Sequence, residues 1–194
     1  MNVLDAEDED ATPLTPDERE GLIPTHVALR HEVNELEQTN ILEADLWAFQ
    51  RQRPVLDEAF LRRLHKRMFG NVWKWAGAYR TTPRNLGVEP WRIPIEMRLL
   101  LDDAHVWIDA KTYPPDELAV RFHHRLVSTH PFPNGNGRWS RLAADLLIVT
   151  LGEKRLTWGR DNLQTAGTIR RRYMDALHAA DTHDLDPLIV FARS

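Results

Sequence analysis

The sequence predicts an all-α fold with one short stretch of loop or hairpin structure. Several segments carry apolar residues at three- and four-residue spacing, as helices with one buried face do. Proline and glycine separate these segments, and a chain of 194 residues is long enough for one domain with its own core. Because no apolar run approaches the roughly 18 residues that a membrane helix needs, we expect no membrane span.

Composition and charge narrow the class of protein further. The chain has no cysteine, which excludes disulfides, thiol nucleophiles and cysteine metal sites and fits a cytoplasmic protein. No secretory signal is visible at the N-terminus. Residues 1–20 carry a net charge of −7 and the whole chain −4, so the remainder carries +3. That excess can help to attract nucleotides but is too small to predict a nucleic-acid partner.

Residues 1–24 are predicted to form an acidic N-terminal arm, and residues 25–194 the folded domain. The arm contains three prolines and lacks apolar periodicity, which favours a partly ordered tail. Thr15 followed by Pro16 could begin a short helix as N-cap and first residue. Residues 25–52 have a helical composition with an imperfect apolar stripe, so one helix or two remains open.

The next segments alternate between helix and turn. Residues 56–69 form an amphipathic pattern that Gly70 ends. Residues 81–93 are rich in Pro, Gly and Asn, which predicts a loop or hairpin. Helical spacing returns from Ile93 to the Pro114-Pro115 pair, then over 116–129, from Arg138 to Gly152, over 161–180 and briefly near 184–191.

The stretch from His130 to Arg141, His-Pro-Phe-Pro-Asn-Gly-Asn-Gly-Arg-Trp-Ser-Arg, carries the chemistry. Glycines let a backbone approach a ligand closely and turn its N–H groups toward it. The following helix start offers free N–H groups and the positive end of a dipole. Arg138 and Arg141 add positive charge on nearly one helical face. Together these groups predict a site for an anion with several phosphates.

This stretch resembles the signature of the Fic family, His-x-Phe-x-(Asp or Glu)-Gly-Asn-Gly-Arg-x-x-Arg, and departs from it only at Asn134. The similarity covers about residues 35–194, and the Trp distribution resembles the mobile mystery protein B subfamily. The resemblance implies a Fic-type helical bundle with a small β-hairpin flap. Residues 81–93 would be that flap, on which an unidentified target protein docks.

The resemblance implies transfer of AMP from ATP to a Ser, Thr or Tyr hydroxyl of a target protein. His130 would be the general base, since an imidazole titrates near the working pH. Phe132 would anchor the loop in the core. The phosphates would be held by the N–H groups of Gly135, Asn136 and Gly137, by the Asn136 amide, and by the guanidinium groups of Arg138 and Arg141.

Two further roles follow from the resemblance. Asn134 occupies the position that holds Mg²⁺ in the family, and a neutral amide lacks the charge that hard cations favour. Normal activity with weaker metal binding, altered chemistry and little activity are all open, and our hypothesis is weaker Mg²⁺ binding with catalysis retained. Glu43, in Thr39–Ala44, matches an inhibitory glutamate that would pair with Arg141, although Ala44 departs from that motif. A solvated helix glutamate is the alternative.

Other functions are compatible with parts of the sequence. A regulatory or toxin-like module could bind a nucleotide without transferring it, and Asn134 favours this alternative slightly. Phosphocholine or phosphate transfer ranks lower, because the chain keeps the Gly-Asn-Gly-Arg residues at 135–138. Metal sites are weakly indicated: His123 and His124 point about 100° apart, and His183-Asp184 is the only cue for a metal phosphohydrolase. The Arg170–Arg172 run could bind nucleic acid, but its side chains point in different directions, which favours a solvated or salt-bridged face.

Overall fold

A computed structural model describes residues 16–24, 30–160 and 166–194 of the chain. These residues form helices and no named strand, which confirms the predicted all-α class. The helices are α1 (Pro16–Arg19), α2 (Arg30–Phe49), α3 (Glu58–Phe69), α4 (Ile93–Asp109), α5 (Pro115–Thr129), α6 (Asn136–Thr150), α7 (Ala166–Asp181) and α8 (Asp186–Ala192), with a 3₁₀ turn at Pro90–Arg92.

Helix α3 belongs to the main core, and its sequence supplies both a start signal and one apolar face. The Asp57 side chain accepts the Phe60 N–H at 2.6 Å, which satisfies a free donor of the first turn. The buried face presents Phe60, Leu61, Leu64, His65, Met68 and Phe69. This face packs against α2 on one side and approaches α4 and α6 on others, so α3 borders the segment that carries the motif.

Helices α5 and α6 pack closely against each other and frame the motif. Their facing side chains, including Phe122, Leu126, Trp139 and Leu142, belong to the main core. A second apolar cluster joins the other sides of α5 and α6 to α7 and α8. The short connection between α5 and α6, residues 130–135, is called the motif loop below. Apolar packing on both sides therefore holds the motif loop between two anchored helices.

The predicted β-hairpin flap is not present. Residues 81–89 form an irregular loop, here called the 81–89 loop, followed by the 3₁₀ turn. A hairpin needs two segments that exchange backbone hydrogen bonds, whereas this loop bonds to other parts of the protein. Val88 N–H donates to the Thr129 carbonyl, and Arg80 donates to the carbonyls of Thr82 and Val88.

Residues 16–24 are packed against the domain. Leu22 forms an isolated antiparallel bridge with Trp73, and Lys74 N–H donates to the Gly21 carbonyl at 2.8 Å. Helix α1 begins at Pro16, while the proposed cap Thr15 lies outside the described residues. The arm boundary at residue 24 stays a prediction. Helix α7 is described from Ala166, so the start predicted at 161 also falls outside the described ranges.

Within the described ranges, no helix is both long enough and apolar enough to cross a bilayer.

Candidate functional site

His130 occupies a buried, left-handed position at the end of α5. Its φ is 50°, its N–H donates to the Leu126 carbonyl at 3.2 Å, and it is 8% exposed. Burial, and then the positive charges of Arg80 and Arg84, lower the pKa of His130 to about 4. The imidazole is therefore neutral near pH 7, which is the form that can accept a proton.

Arg80 fixes the backbone around His130. It is 2% exposed, its Nε donates to the His130 carbonyl at 2.7 Å, and its own N–H donates to the Pro131 carbonyl at 2.9 Å. Gly87, with φ of 87°, passes so close that a Cβ there would lie 2.5 Å from the His130 Cβ. The 81–89 loop and the catalytic candidate are thus tied together through one arginine and one close glycine.

Phe132 and Asn136 close the motif loop on itself. Phe132 is fully buried and stacks on the His65 ring with centroids 3.7 Å apart. The Asn136 side chain accepts the Phe132 N–H at 2.9 Å and donates to the Phe132 carbonyl at 2.8 Å. Both ends of the Asn136 amide therefore hold Phe132, and its role as a phosphate ligand stays a prediction.

The two motif glycines have different roles in the structure. Gly135 has φ of 79°, and a Cβ there would lie 2.5 Å from the Phe69 ring, so both conformation and packing require glycine. Gly137 lies in the first turn of α6, and the nearest atom to an added Cβ would be the Tyr173 hydroxyl at 3.6 Å. The N–H groups of this first turn have no intrahelical acceptor, so they can face an anion.

Arg138 pairs with a carboxylate from α2. Its Nη1 lies 2.7 Å from Glu37 Oε2, and its guanidinium lies over the Phe69 ring. The other carboxylate oxygen of Glu37 accepts the Trp73 indole N–H at 2.6 Å. The Glu37 side chain is only 5% exposed. A buried negative charge therefore sits against the arginine that the sequence assigns to phosphate binding.

Arg141 has no carboxylate within ion-pair distance in the described part of the chain. Its Nε donates to the Gly137 carbonyl at 3.2 Å, and its guanidinium lies over the Tyr173 ring. Burial is the main cause that lowers the pKa of this guanidinium, and nearby Arg138 adds to the effect. A partly buried cation that forms no direct ion pair with these residues is costly, so this position favours a bound anion.

The glutamate that contacts the motif is Glu37, whereas the sequence predicted Glu43. Glu43 is exposed, and the predicted Glu43–Arg141 pair is not formed. The buried stripe of α2 runs through Val33, Glu37, Ala44 and Ala48. Glu43 lies six positions after Glu37, which places it about 120° away around the helix. The sequence does carry a signal for Glu37, because this acid lies four positions after Val33 and therefore on the same buried face of the helix.

The residues present fit a resident Mg²⁺ poorly. The Asn134 Oδ1 already accepts the Gly135 N–H at 2.6 Å, and an amide oxygen carries no charge. Within the described ranges, no three His, Asp or Glu side chains form a group that could hold a metal ion. His123 Nε2 lies 3.1 Å from the Tyr173 hydroxyl and His124 Nε2 2.8 Å from Asp181, so the adjacent histidines face different neighbours.

Sequence reasoning missed several residues that shape the site. His65, Trp73, Arg80 and Tyr173 contact the motif or its partners from α3, the segment after it and α7. Aromatic and arginine residues of this kind look like ordinary core or surface residues in a sequence. The only visible signal was a polar side chain on an apolar stripe, as with His65 beside Leu61, Leu64 and Met68.

Comparison with curated proteins identifies relatives of one kind. The chain is 27% identical over 132 residues to Protein adenylyltransferase Fic of Aedes aegypti, covering 66% of this chain and 25% of that protein. It is 30% identical over 134 residues to Protein adenylyltransferase fic-1 of Caenorhabditis elegans, covering 65% and 24%. The chain thus spans about a quarter of the length of these relatives.

Solved structures share the fold at low sequence identity. The BepC protein of Bartonella tribocorum with bound AMPPNP superposes with a TM-score of 0.72 at 18% identity, covering 92% of this chain and 97% of that one. A Fic domain of Bartonella quintana with bound ADP gives 0.70 at 17% identity, covering 91% and 94%. Residues 55–148 match the Fic/DOC family. These residues, which include the whole motif, therefore form a Fic/DOC family domain.

Proposed function

We propose that this protein transfers AMP from ATP to a Ser, Thr or Tyr hydroxyl of a target protein. The proposal depends on one observation: the motif holds both a proton acceptor and a cation that can bind phosphate. A neutral, buried His130 ends one helix, and the next helix carries Arg141, a cation that forms no ion pair with a carboxylate of the described ranges. His130 can accept the proton of the attacking hydroxyl, and Arg141 can bind the triphosphate.

The reaction balances with these groups. The target hydroxyl oxygen bonds to the α-phosphorus of ATP while the bond from that phosphorus to the β-phosphate oxygen breaks. His130 accepts the hydroxyl proton, and pyrophosphate leaves with the electrons of the broken bond. Arg138 and Arg141 offset the charge on the β- and γ-phosphates, and the first N–H groups of α6 bind phosphate oxygens. Mg²⁺, when it accompanies ATP, would screen phosphate charge, with Asn134 as its only candidate protein ligand in the motif.

Two structural neighbours contain bound adenine nucleotides, which supports ATP as the ligand. AMPPNP occupies the Bartonella tribocorum protein and ADP the Bartonella quintana domain. The curated relatives are named adenylyltransferases, which supports the choice of reaction. We also propose membership of the mobile mystery protein B subfamily, from the spread of Trp residues and the stretches around the motif, and docking of the target protein on residues 81–93.

We further propose that Glu37, and not Glu43, restrains the activity. Its carboxylate engages Arg138 and is held from behind by Trp73. A γ- or β-phosphate would have to displace a buried negative charge before it reached this guanidinium. The resemblance places the inhibitory contact on the second motif arginine, whereas the contact here is on the first, Arg138. The consequence is the same, since both arginines serve one triphosphate.

A nucleotide-binding regulatory module is the second candidate, because Asn134 weakens the metal site. Incubation with α-labelled ATP and a host lysate separates the two. Label that appears on a protein and is lost in His130→Ala supports transfer. Binding of ATP in a calorimeter, with no label on any protein even in Glu37→Gln, would support the module and contradict the transferase. Mass spectrometry of the labelled band identifies AMP, which excludes phosphate or phosphocholine.

A further inference from the structure

His65 is a buried histidine that joins α3 to the motif loop. It is fully buried, and its ring stacks on Phe132. The Gly77 N–H donates to Nδ1 at 3.0 Å, and Nε2 lies 3.0 Å from the Asn134 carbonyl oxygen. A backbone N–H can only donate, so Nδ1 carries no proton. Nε2 must therefore carry the proton and donate it to Asn134, with the ring neutral.

This bond fixes the direction of one peptide group. The peptide between Asn134 and Gly135 is trans, so its C=O and N–H point in opposite directions. Because His65 holds the carbonyl on the α3 side, the Gly135 N–H is turned away from α3. In the structure that N–H meets the Asn134 Oδ1. A peptide flip would turn the Gly135 N–H toward His65 and lose the bond between the Asn134 carbonyl and His65 Nε2.

We propose that His65 is a positioning residue that aims the Gly135 N–H at a phosphate of the bound nucleotide. The inference rests on the proposed function for the identity of the anion, but the orientation of the peptide rests on the contacts of His65 alone. A phosphate oxygen would take over the acceptor position that Asn134 Oδ1 now fills. Burial keeps the pKa of His65 low, at about 3, so the donor proton stays on Nε2 across the working pH range.

Three substitutions distinguish the effect of the His65–Asn134 hydrogen bond from the effect of the ring packing on Phe132. In His65→Gln the side-chain amide reaches the position of Nε2 and can donate to Asn134. In His65→Asn the amide is shorter by one methylene, matches the position of Nδ1 and keeps only the Gly77 bond. In His65→Phe the ring and its stacking on Phe132 remain and both bonds are lost. The measurements are ATP affinity by calorimetry and the unfolding midpoint of each variant.

We expect His65→Gln to stay within about threefold of wild-type ATP affinity, and His65→Asn and His65→Phe to lose about tenfold or more, the scale of one hydrogen bond. Equal affinity in all four proteins would overturn the proposal, as would affinities that follow the unfolding midpoints whichever amide is present. A nitrogen-15 NMR spectrum of nucleotide-free protein gives a test independent of ATP. A proton on Nδ1 of His65 would also overturn the proposal. Absence of ATP binding in wild type would overturn the proposed function and the assignment of a nucleotide phosphate to the Gly135 N–H, whereas the peptide orientation would still be decided by this spectrum.

Discussion

Glu37 on α2 and Arg138 on α6 form a partly buried ion pair, with Glu37 Oε2 2.7 Å from Arg138 Nη1. The two residues are 101 positions apart in the chain. Trp73 fixes the second oxygen of the same carboxylate. The pair connects the N-terminal part of the domain directly to the motif, so a change in α2 can alter the anion site without any change in the motif itself.

Neutralising Glu37 should activate the protein. In Glu37→Gln the amide can still accept the Trp73 N–H, but the charge opposing phosphate is gone. We expect label transfer at subsaturating ATP to rise at least about fivefold, which corresponds to about 1 kcal/mol, a value typical of a partly exposed pair. Glu43→Gln is the matched control and should change transfer little. A rise in the control alone would restore the original prediction for Glu43.

Gly135 should tolerate alanine less well than Gly152. Both have positive φ, 79° and 89°, but only Gly135 has neighbours that an added Cβ would strike. Gly152→Ala should therefore cost about 1–2 kcal/mol for backbone strain alone. Gly135→Ala should cost about 1–3 kcal/mol more, because the Phe69 ring must shift. Urea unfolding measures both, and equal losses would contradict the packing argument.

Stability should fall as the pH drops below about 6.5, the unfolded pKa of histidine. Burial lowers the pKa of His65 and His123 to about 3 in the folded protein. Between these values the unfolded chain binds protons that the folded chain does not, so acid favours unfolding. Each histidine contributes a slope of at most about 1.4 kcal/mol per pH unit. Urea unfolding at pH 7.5, 6 and 5 measures the slope, and His123→Leu should lower it whatever its stability at pH 7.5.

A carboxylate at position 134 should strengthen the binding of Mg²⁺. Asn134→Asp adds a charged oxygen where the chain now has an amide. We expect the Mg²⁺ concentration for half-maximal transfer to fall about tenfold, with the maximal rate changed much less. Turnover against Mg²⁺ concentration at fixed ATP is the measurement. An unchanged Mg²⁺ dependence would reject the hypothesis that Asn134 weakens the metal site.

Local patterns predicted the helices well. The apolar spacing in α3, α4, α5 and α6, and the Gly and Pro residues that end them, are properties of neighbouring residues. The prediction of a hairpin was wrong because it also depended on neighbouring residues alone. Turn residues at 81–93 predict that the chain reverses, but not which groups form hydrogen bonds with it. Those partners are Arg80 and the end of α5, and no spacing in the sequence joins them to the loop.

The sequence by itself determined the helical class, the order of the helices and the motif with His130, Arg138 and Arg141 at fixed spacing. Only the tertiary structure decided that Glu37 and not Glu43 faces the motif. It also decided that the Asn136 amide holds Phe132, and that His65 and Arg80 form hydrogen bonds with the motif loop. Helix periodicity says which residues share a face, but not which distant helix that face meets. That choice depends on how all the apolar faces pack together at once.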